Sequence, residues 1–129
     1  MKEIKIRAWL KSQNKYFDAY QINFKEKIFF IEPIYSNNMF SFDDCVIEQY
    51  TGLKDKDGKD IYEGDIVKVE EKEYQYNEVM TNKYQATVVF REGCFKLVEE
   101  NGLMDMIYNK ADKCEVIGNI HEGEKGELK

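Results

Sequence analysis

Apolar and polar residues alternate with a period of two along most of the chain, and this alternation limits the possible folds more than any other feature. It begins in residues 4–9 and returns in later runs rich in β-branched and aromatic side chains: 16–24, 27–31, 45–50, 66–69, 86–90, 95–98 and 114–120. This period is typical of strands with two different faces. Gly and Asp separate the runs roughly every ten residues. The sequence therefore predicts an all-β fold, as a small barrel or a sandwich.

The stretch QYTGLKDKDGKDIYEGDIVKV, residues 49–69, contains two turn signals. Asp57-Gly58 lies between apolar flanks and predicts a hairpin, because glycine adopts a positive φ without steric cost. Glu63-Gly64-Asp65 predicts a second small turn before the next strand. We interpret this stretch first as a fold-determining element. Its candidate fold-determining or partner-binding residues are Gln49, Tyr50, Thr51, Gly52, Asp57, Gly58, Tyr62, Glu63, Gly64 and Asp65.

Three segments have a weaker pattern. Residues 70–84, EEKEYQYNEVMTNKY, are densely charged and predict either a mobile connection or an extension of a hairpin. Residues 35–44 predict an irregular loop with aromatic anchors, after Pro33 ends a strand. Residues 103–108 are compatible with one helical turn. The last residues, EGEKGELK, predict a flexible acidic tail.

The charge of the chain favours some partners over others. Lys and Arg total 19 against 25 Asp and Glu, so the net charge is −6, which argues against tight binding to nucleic acid. Residues 1–30 are the exception, with seven basic and three acidic side chains. Within them, Arg7 and Trp9 share a strand with Lys5 and could hold a phosphate and stack on a base. The alternative, which we favour, is that Trp9 is buried and Arg7 pairs with a carboxylate.

No set of residues predicts a catalytic or metal site. The acids of residues 55–65 do not have the spacing of an EF-hand, because Asp60 stands at the sixth position and Ile66 at the twelfth. Cys45, Cys94, Cys114 and His121 are too scattered to predict a structural zinc site or a triad. A phosphate-binding glycine loop is absent from the sequence. We therefore expect no catalytic residues, no metal and no cofactor.

Cysteine usage and hydropathy indicate the setting. Three widely spaced cysteines without a C-x-x-C pair favour a reducing cytoplasm, and we expect all three to be buried free thiols. An apolar run of membrane-spanning length and a secretory signal are both absent from the sequence, so we expect no membrane partner and no export.

Residues 49–67 resemble the signature of the YopX family, small proteins of phages and prophages, and two flanking pieces resemble it as well: Arg7-Ala8-Trp9 and residues 115–120. The resemblance implies an all-β fold with an SH3-type barrel, encoded by a phage or prophage and present in a bacterial cytoplasm. It implies no biochemical activity.

The sequence thus predicts one domain over residues 1–129, with N-terminal strands in 1–48, a barrel-forming part in 49–121 and a flexible tail in 122–129. Our functional hypothesis is a non-enzymatic accessory protein that binds a host or phage protein through barrel loops or an exposed sheet edge. The alternative is a nucleic-acid-binding module that uses the basic N-terminal strands. Self-association through an edge strand is open as well.

Overall fold

The computed structural model describes residues 3–31 and 39–124, and it confirms the all-β prediction. Strands and short 3-10 turns make up its regular structure, and the strand pairs are antiparallel. In these residues, helices of membrane-spanning length and hydropathy are absent. Pro33, residues 35–38 of the expected loop and residues 125–129 of the expected tail lie outside the described residues.

The chain divides into two compact units, Met1–Tyr50 and Thr51–Lys129. In the first unit, β1 pairs with β2 on one side and with the beginning of β6 on the other, while β3, β4 and β5 form a separate small sheet. The strand bounds are β1 Ile6–Leu10, β2 Lys15–Asp18, β3 Gln21–Asn23, β4 Ile28–Phe30, β5 Met39–Ser41 and β6 Cys45–Lys54. The buried core of this unit consists of Ala8, Leu10, Phe29, Ile31 and Cys45.

The second unit begins with the end of β6, which neighbours β7, and continues as a curled six-stranded sheet in the order β11-β10-β9-β8-β12-β13. The bounds are β7 Asp60–Tyr62, β8 Asp65–Gln75, β9 Glu78–Arg91, β10 Cys94–Val98, β11 Met104–Met106, β12 Cys114–Asn119 and β13 Gly123–Glu124. One face of this sheet is buried with two 3-10 turns, Ile107–Asn109 and Ala111–Lys113. The buried core here includes Ile61, Val67, Val69, Val88 and Leu97.

The turns agree with the sequence, whereas several strand limits differ. The run 16–24 divides into β2 and β3, and part of the expected loop 35–44 forms β5 and a 3-10 turn at Phe42–Asp44. Residues 103–108 hold β11 and the start of a 3-10 turn instead of one helical turn. Of the two alternatives for residues 70–84, the hairpin extension is the observed one. Cys45 and Cys114 are buried as expected, but Cys94 is only half-buried.

One buried carboxylate holds the hairpin turn between β6 and β7. Asp55 Oδ1 accepts the backbone N–H groups of Asp57 and Lys59, both at 2.9 Å, and Oδ2 accepts that of Val116 in β12 at 3.0 Å. Burial acts to raise the pKa of Asp55, which is 7% exposed, but the three N–H groups outweigh it and hold the pKa below its ordinary value. The ionised side chain therefore fastens this turn to β12.

We expect Asp55→Ala to lower the free energy of unfolding by about 3 kcal/mol, because three backbone donors lose a charged acceptor. Urea denaturation at neutral pH measures the loss. The matched control is Asp57→Ala, since Asp57 lies in the same turn and is exposed. We expect the control to stay within about 0.5 kcal/mol of the wild type.

The stability difference between the wild type and Asp55→Ala should also depend on pH. Because the folded pKa of Asp55 is lowered, its stabilisation is complete above the ordinary aspartate pKa of about 4 and is lost as the pH falls through the lower folded value. The difference in unfolding free energy between wild type and Asp55→Ala should therefore narrow in acid. A difference that stays constant from neutral to acid pH would contradict the role of the charge.

Candidate functional site

The N-terminal residues that could have formed a nucleic-acid surface are engaged within the first unit. Arg7 Nε donates to Glu48 Oε1 at 3.0 Å, and its guanidinium lies 4.0 Å from the centre of the Tyr16 ring. Trp9 is 6% exposed and meets Tyr16 edge to face. The interpretation that Trp9 is buried and Arg7 pairs with a carboxylate is confirmed.

Glu48 completes this arrangement and was not predicted as a functional or structural residue. It is 2% exposed and also accepts the Tyr16 hydroxyl at 2.7 Å. A buried carboxylate is tolerated only when it is paired and hydrogen-bonded, and both conditions hold here. The available signal was its position: a single charged residue inside the apolar run 45–50.

Residues 49–69, the stretch with the two turn signals, include the end of β6, the strand β7 and the turns on either side of β7. Thr51 Oγ1 donates to the Ile61 carbonyl at 2.7 Å, and Asp65 Oδ2 accepts the Tyr62 N–H at 2.8 Å across the second turn. Gly58 and Gly64 have φ values of 84° and 90°, which favour glycine. Tyr50, Gly64 and Asp65 are buried, Thr51, Tyr62 and Glu63 are half-buried, and Gln49, Gly52, Asp57 and Gly58 are exposed.

Chemistry that depends on a thiolate is disfavoured at the two buried cysteines. Burial raises the pKa of Cys45 and of Cys114 to about 11, and neighbouring carboxylates add to the effect, so both are protonated at neutral pH. Across the described ranges, groups of three or more Cys, His, Asp or Glu close enough to hold a metal ion are absent.

The most exposed regular element is the far part of the β8–β9 hairpin, residues 70–83, which we call the arm. Six residue pairs, from Glu70 with Lys83 to Gln75 with Glu78, continue the ladder beyond the neighbouring strands. On one side β12 pairs with β8 only as far as Val69, and on the other β10 pairs with β9 only from Thr87. Within the described residues, both edges of the arm therefore lack a strand partner.

The two edges of the arm differ in charge. The β8 edge carries three glutamates and one lysine, whereas Val79, Met80, Thr81 and Asn82 of the β9 edge are uncharged. In the part of the chain that the structure describes, Glu70, Glu73 and Glu78 have no ion pair. Tyr74, Tyr76, Val79 and Met80 add exposed apolar surface near the tip.

The base of the arm is held by Lys110. Its Nζ lies 2.6 Å from both Glu71 Oε1 and Asp105 Oδ2, and 3.1 Å from the Tyr84 hydroxyl. Partial burial acts to lower the pKa of Lys110, but its hydrogen bonds to Asp105, Glu71 and Tyr84 outweigh it and raise the pKa above its ordinary value. Lys110 stays charged, so its charge-assisted hydrogen bonds tie Glu71 at the base of the arm to Asp105.

Sequence reasoning placed no candidate site residue in the arm. Its charges obscure the alternation that identifies strands, because both faces are exposed and neither needs apolar residues. The usable signal was the two tyrosines, Tyr74 and Tyr76, directly after the charged run of residues 70–73.

Comparison with known proteins identifies relatives by sequence and by fold. The sequence model of the YopX family, described as YopX protein, matches residues 5–125. Protein EF1440 from Enterococcus faecalis has a similar crystal structure, with a TM-score of 0.63 and 21% identity over 95% of this chain and 96% of that one. At this identity the similarity concerns the fold. Comparison with curated proteins gives no significant match.

The Arg7–Glu48 pair provides a stability test. We expect Glu48→Ala to lower the unfolding free energy by about 3 kcal/mol, since it removes the buried carboxylate that accepts hydrogen bonds from Arg7 Nε and the Tyr16 hydroxyl. The double variant Arg7→Met with Glu48→Met should recover part of this loss, because it removes both charges together. A loss in the double variant equal to the sum of the losses in Arg7→Met and Glu48→Met alone, measured by urea denaturation, would show that the pair is not coupled.

Proposed function

This chain belongs to the YopX family, and we propose that it is a non-enzymatic protein-interaction module whose binding element is the arm. The partner is a host or phage protein that offers a basic, extended segment. The observation that carries the proposal is the β8 edge of the arm: a row of backbone groups without a strand partner, flanked by Glu70 and Glu73, which form no ion pair with the described residues.

Strand addition is the mode of binding that this edge suits. A partner segment that lies beside β8 gains main-chain hydrogen bonds, and side chains alternate between the two faces of the enlarged ribbon. Glu70 is on one face with Lys72, and Glu73 is on the other. Basic residues three positions apart on the partner, one on each face, would meet these glutamates, while the exposed Tyr74 ring adds apolar contact.

The alternative of nucleic-acid binding through the N-terminal strands stays a prediction. The contacts of Arg7 with Glu48 and Tyr16 do not favour it, because a phosphate would have to compete with a buried carboxylate. The SH3-type barrel, the phage or prophage origin and the bacterial cytoplasm, which the resemblance implies, are part of the proposal.

Affinity capture from a bacterium that carries the induced phage tests the function. We expect a stoichiometric protein partner that survives nuclease treatment and is lost, by at least about tenfold, with Glu70→Lys combined with Glu73→Lys. Both residues are at least partly exposed and make no ion pair among the described residues, so the variant should fold.

The matched control is Glu26→Lys with Asp43→Lys, which makes the same change in net charge at two exposed positions of the first unit. The control should capture the partner as the wild type does. Equal losses in both double variants would assign binding to overall charge rather than to the arm. Enrichment that disappears with nuclease would support the nucleic-acid alternative instead.

A further inference from the structure

The second edge of the arm differs from the first in a way that points to a different occupant. We propose that two copies of this chain pair antiparallel through their β9 edges, with Thr81 of one copy beside Thr81 of the other. This inference goes beyond the proposed function and does not depend on it, because the two use opposite edges of the arm.

The β9 edge has the backbone groups that such pairing needs. Arg91 and Cys94 close a two-residue hairpin and form a hydrogen-bonded pair, so alternate residues of β9 direct their N–H and C=O groups toward β10. The same alternation continues past the end of β10. Along the free edge these groups therefore belong to Val79, Thr81, Lys83 and Gln85.

Charge selects the β9 edge over the β8 edge for self-pairing. In a symmetric antiparallel pair, the residue at the two-fold axis faces its own copy. On β8, an axis anywhere between Glu70 and Glu73 would bring two identical charges together, which is destabilising. On β9, the candidates from Val79 to Asn82 are uncharged, and the charged residues Glu78 and Lys83 lie on either side of them.

The length of the free edge sets the register at Thr81. This edge runs from the turn at Tyr76 to Ala86, just before β10 begins to pair at Thr87, and Thr81 is its midpoint. In this register Val79 lies opposite Lys83, and Glu78 lies opposite Tyr84. Like charges do not meet at any position of the pair.

The same register places the exposed turn of one copy next to a recess of the other. Residue 76 of one chain reaches residue 86 of its copy, beside a recess of about 990 Å³ whose lining includes Ala86, Thr87, Val89 and Val98. Tyr76 is fully exposed in the single chain. The Tyr76 ring of each copy would enter the recess of the other copy, so the contact forms twice, as a two-fold interface requires.

Sedimentation velocity of the full chain across a concentration series tests the pairing. Two edges of this length bury less than the roughly 1,600 Å² of a standard interface, so the dimer should dissociate on dilution. We expect the mean mass of the wild type to rise from that of the monomer to that of the dimer and no further, because an isologous contact closes. Val79→Lys should weaken the dimer by at least about tenfold, since it sets two lysine pairs opposite each other.

The matched control is Tyr74→Lys. Tyr74 is the cross-strand partner of Val79 on the same face and is 74% exposed against 56%, but it belongs to the β8 edge. It should dimerise as the wild type does. A wild type that stays monomeric at every concentration, growth beyond the dimer, or equal effects of the two variants would each overturn the proposal.

Cysteine cross-linking tests the register in a Cys94→Ser background. Thr81→Cys should form a disulfide-linked dimer under mild oxidation, because the two introduced thiols meet at the two-fold axis. Val79→Cys should not, because position 79 lies opposite position 83 of the other copy, and the two introduced thiols are four residues apart along the strands. Equal cross-linking of both would overturn the register. Val79→Lys should still capture the basic partner through β8, so a failure of self-pairing is separable from a failure of the proposed function.

Discussion

The antiparallel ladder between β8 and β9 is the constraint on which the rest of the second unit depends. Its first pairs put Val67, Val69 and Ala86 on the buried face of the sheet. Since side chains alternate without interruption along both strands, this burial also decides the face of every residue in the arm. The packing of the core thus decides which side chains of the arm share a face. A shift of the register by one residue would move these side chains to the opposite face, in the core and in the arm alike.

Buried carboxylates also stabilise the fold, in a chain with an excess of acidic residues. Asp55, Asp65 and Glu48 are nearly inaccessible to water, and each accepts hydrogen bonds from backbone or side-chain donors. Removing a charge from water is unfavourable unless its partners are in place, so these acids favour one arrangement of turns over the alternatives. Glu70, Glu73 and Glu78 of the arm, by contrast, form no ion pair among the described residues.

The fold was easier to predict than the candidate site. Asp57-Gly58 and Glu63-Gly64-Asp65 identified two turns, because positive φ angles at glycine depend on local sterics alone. The arm was recognised only as one of two alternatives, and its residues were not proposed as a site. An exposed ribbon needs no apolar face, so its sequence lacks the pattern by which strands are found.

The sequence by itself determined the all-β class, the turns and the family, because alternation, glycine positions and a long motif are local properties. Only the tertiary structure decided the roles of single residues. Asp55 joins a turn to β12, 61 positions away, and Glu48 joins Arg7 across 41. The same holds for the edges of the arm: whether a strand has a neighbour depends on where β10 and β12 stop pairing, and that is a property of the assembled sheet.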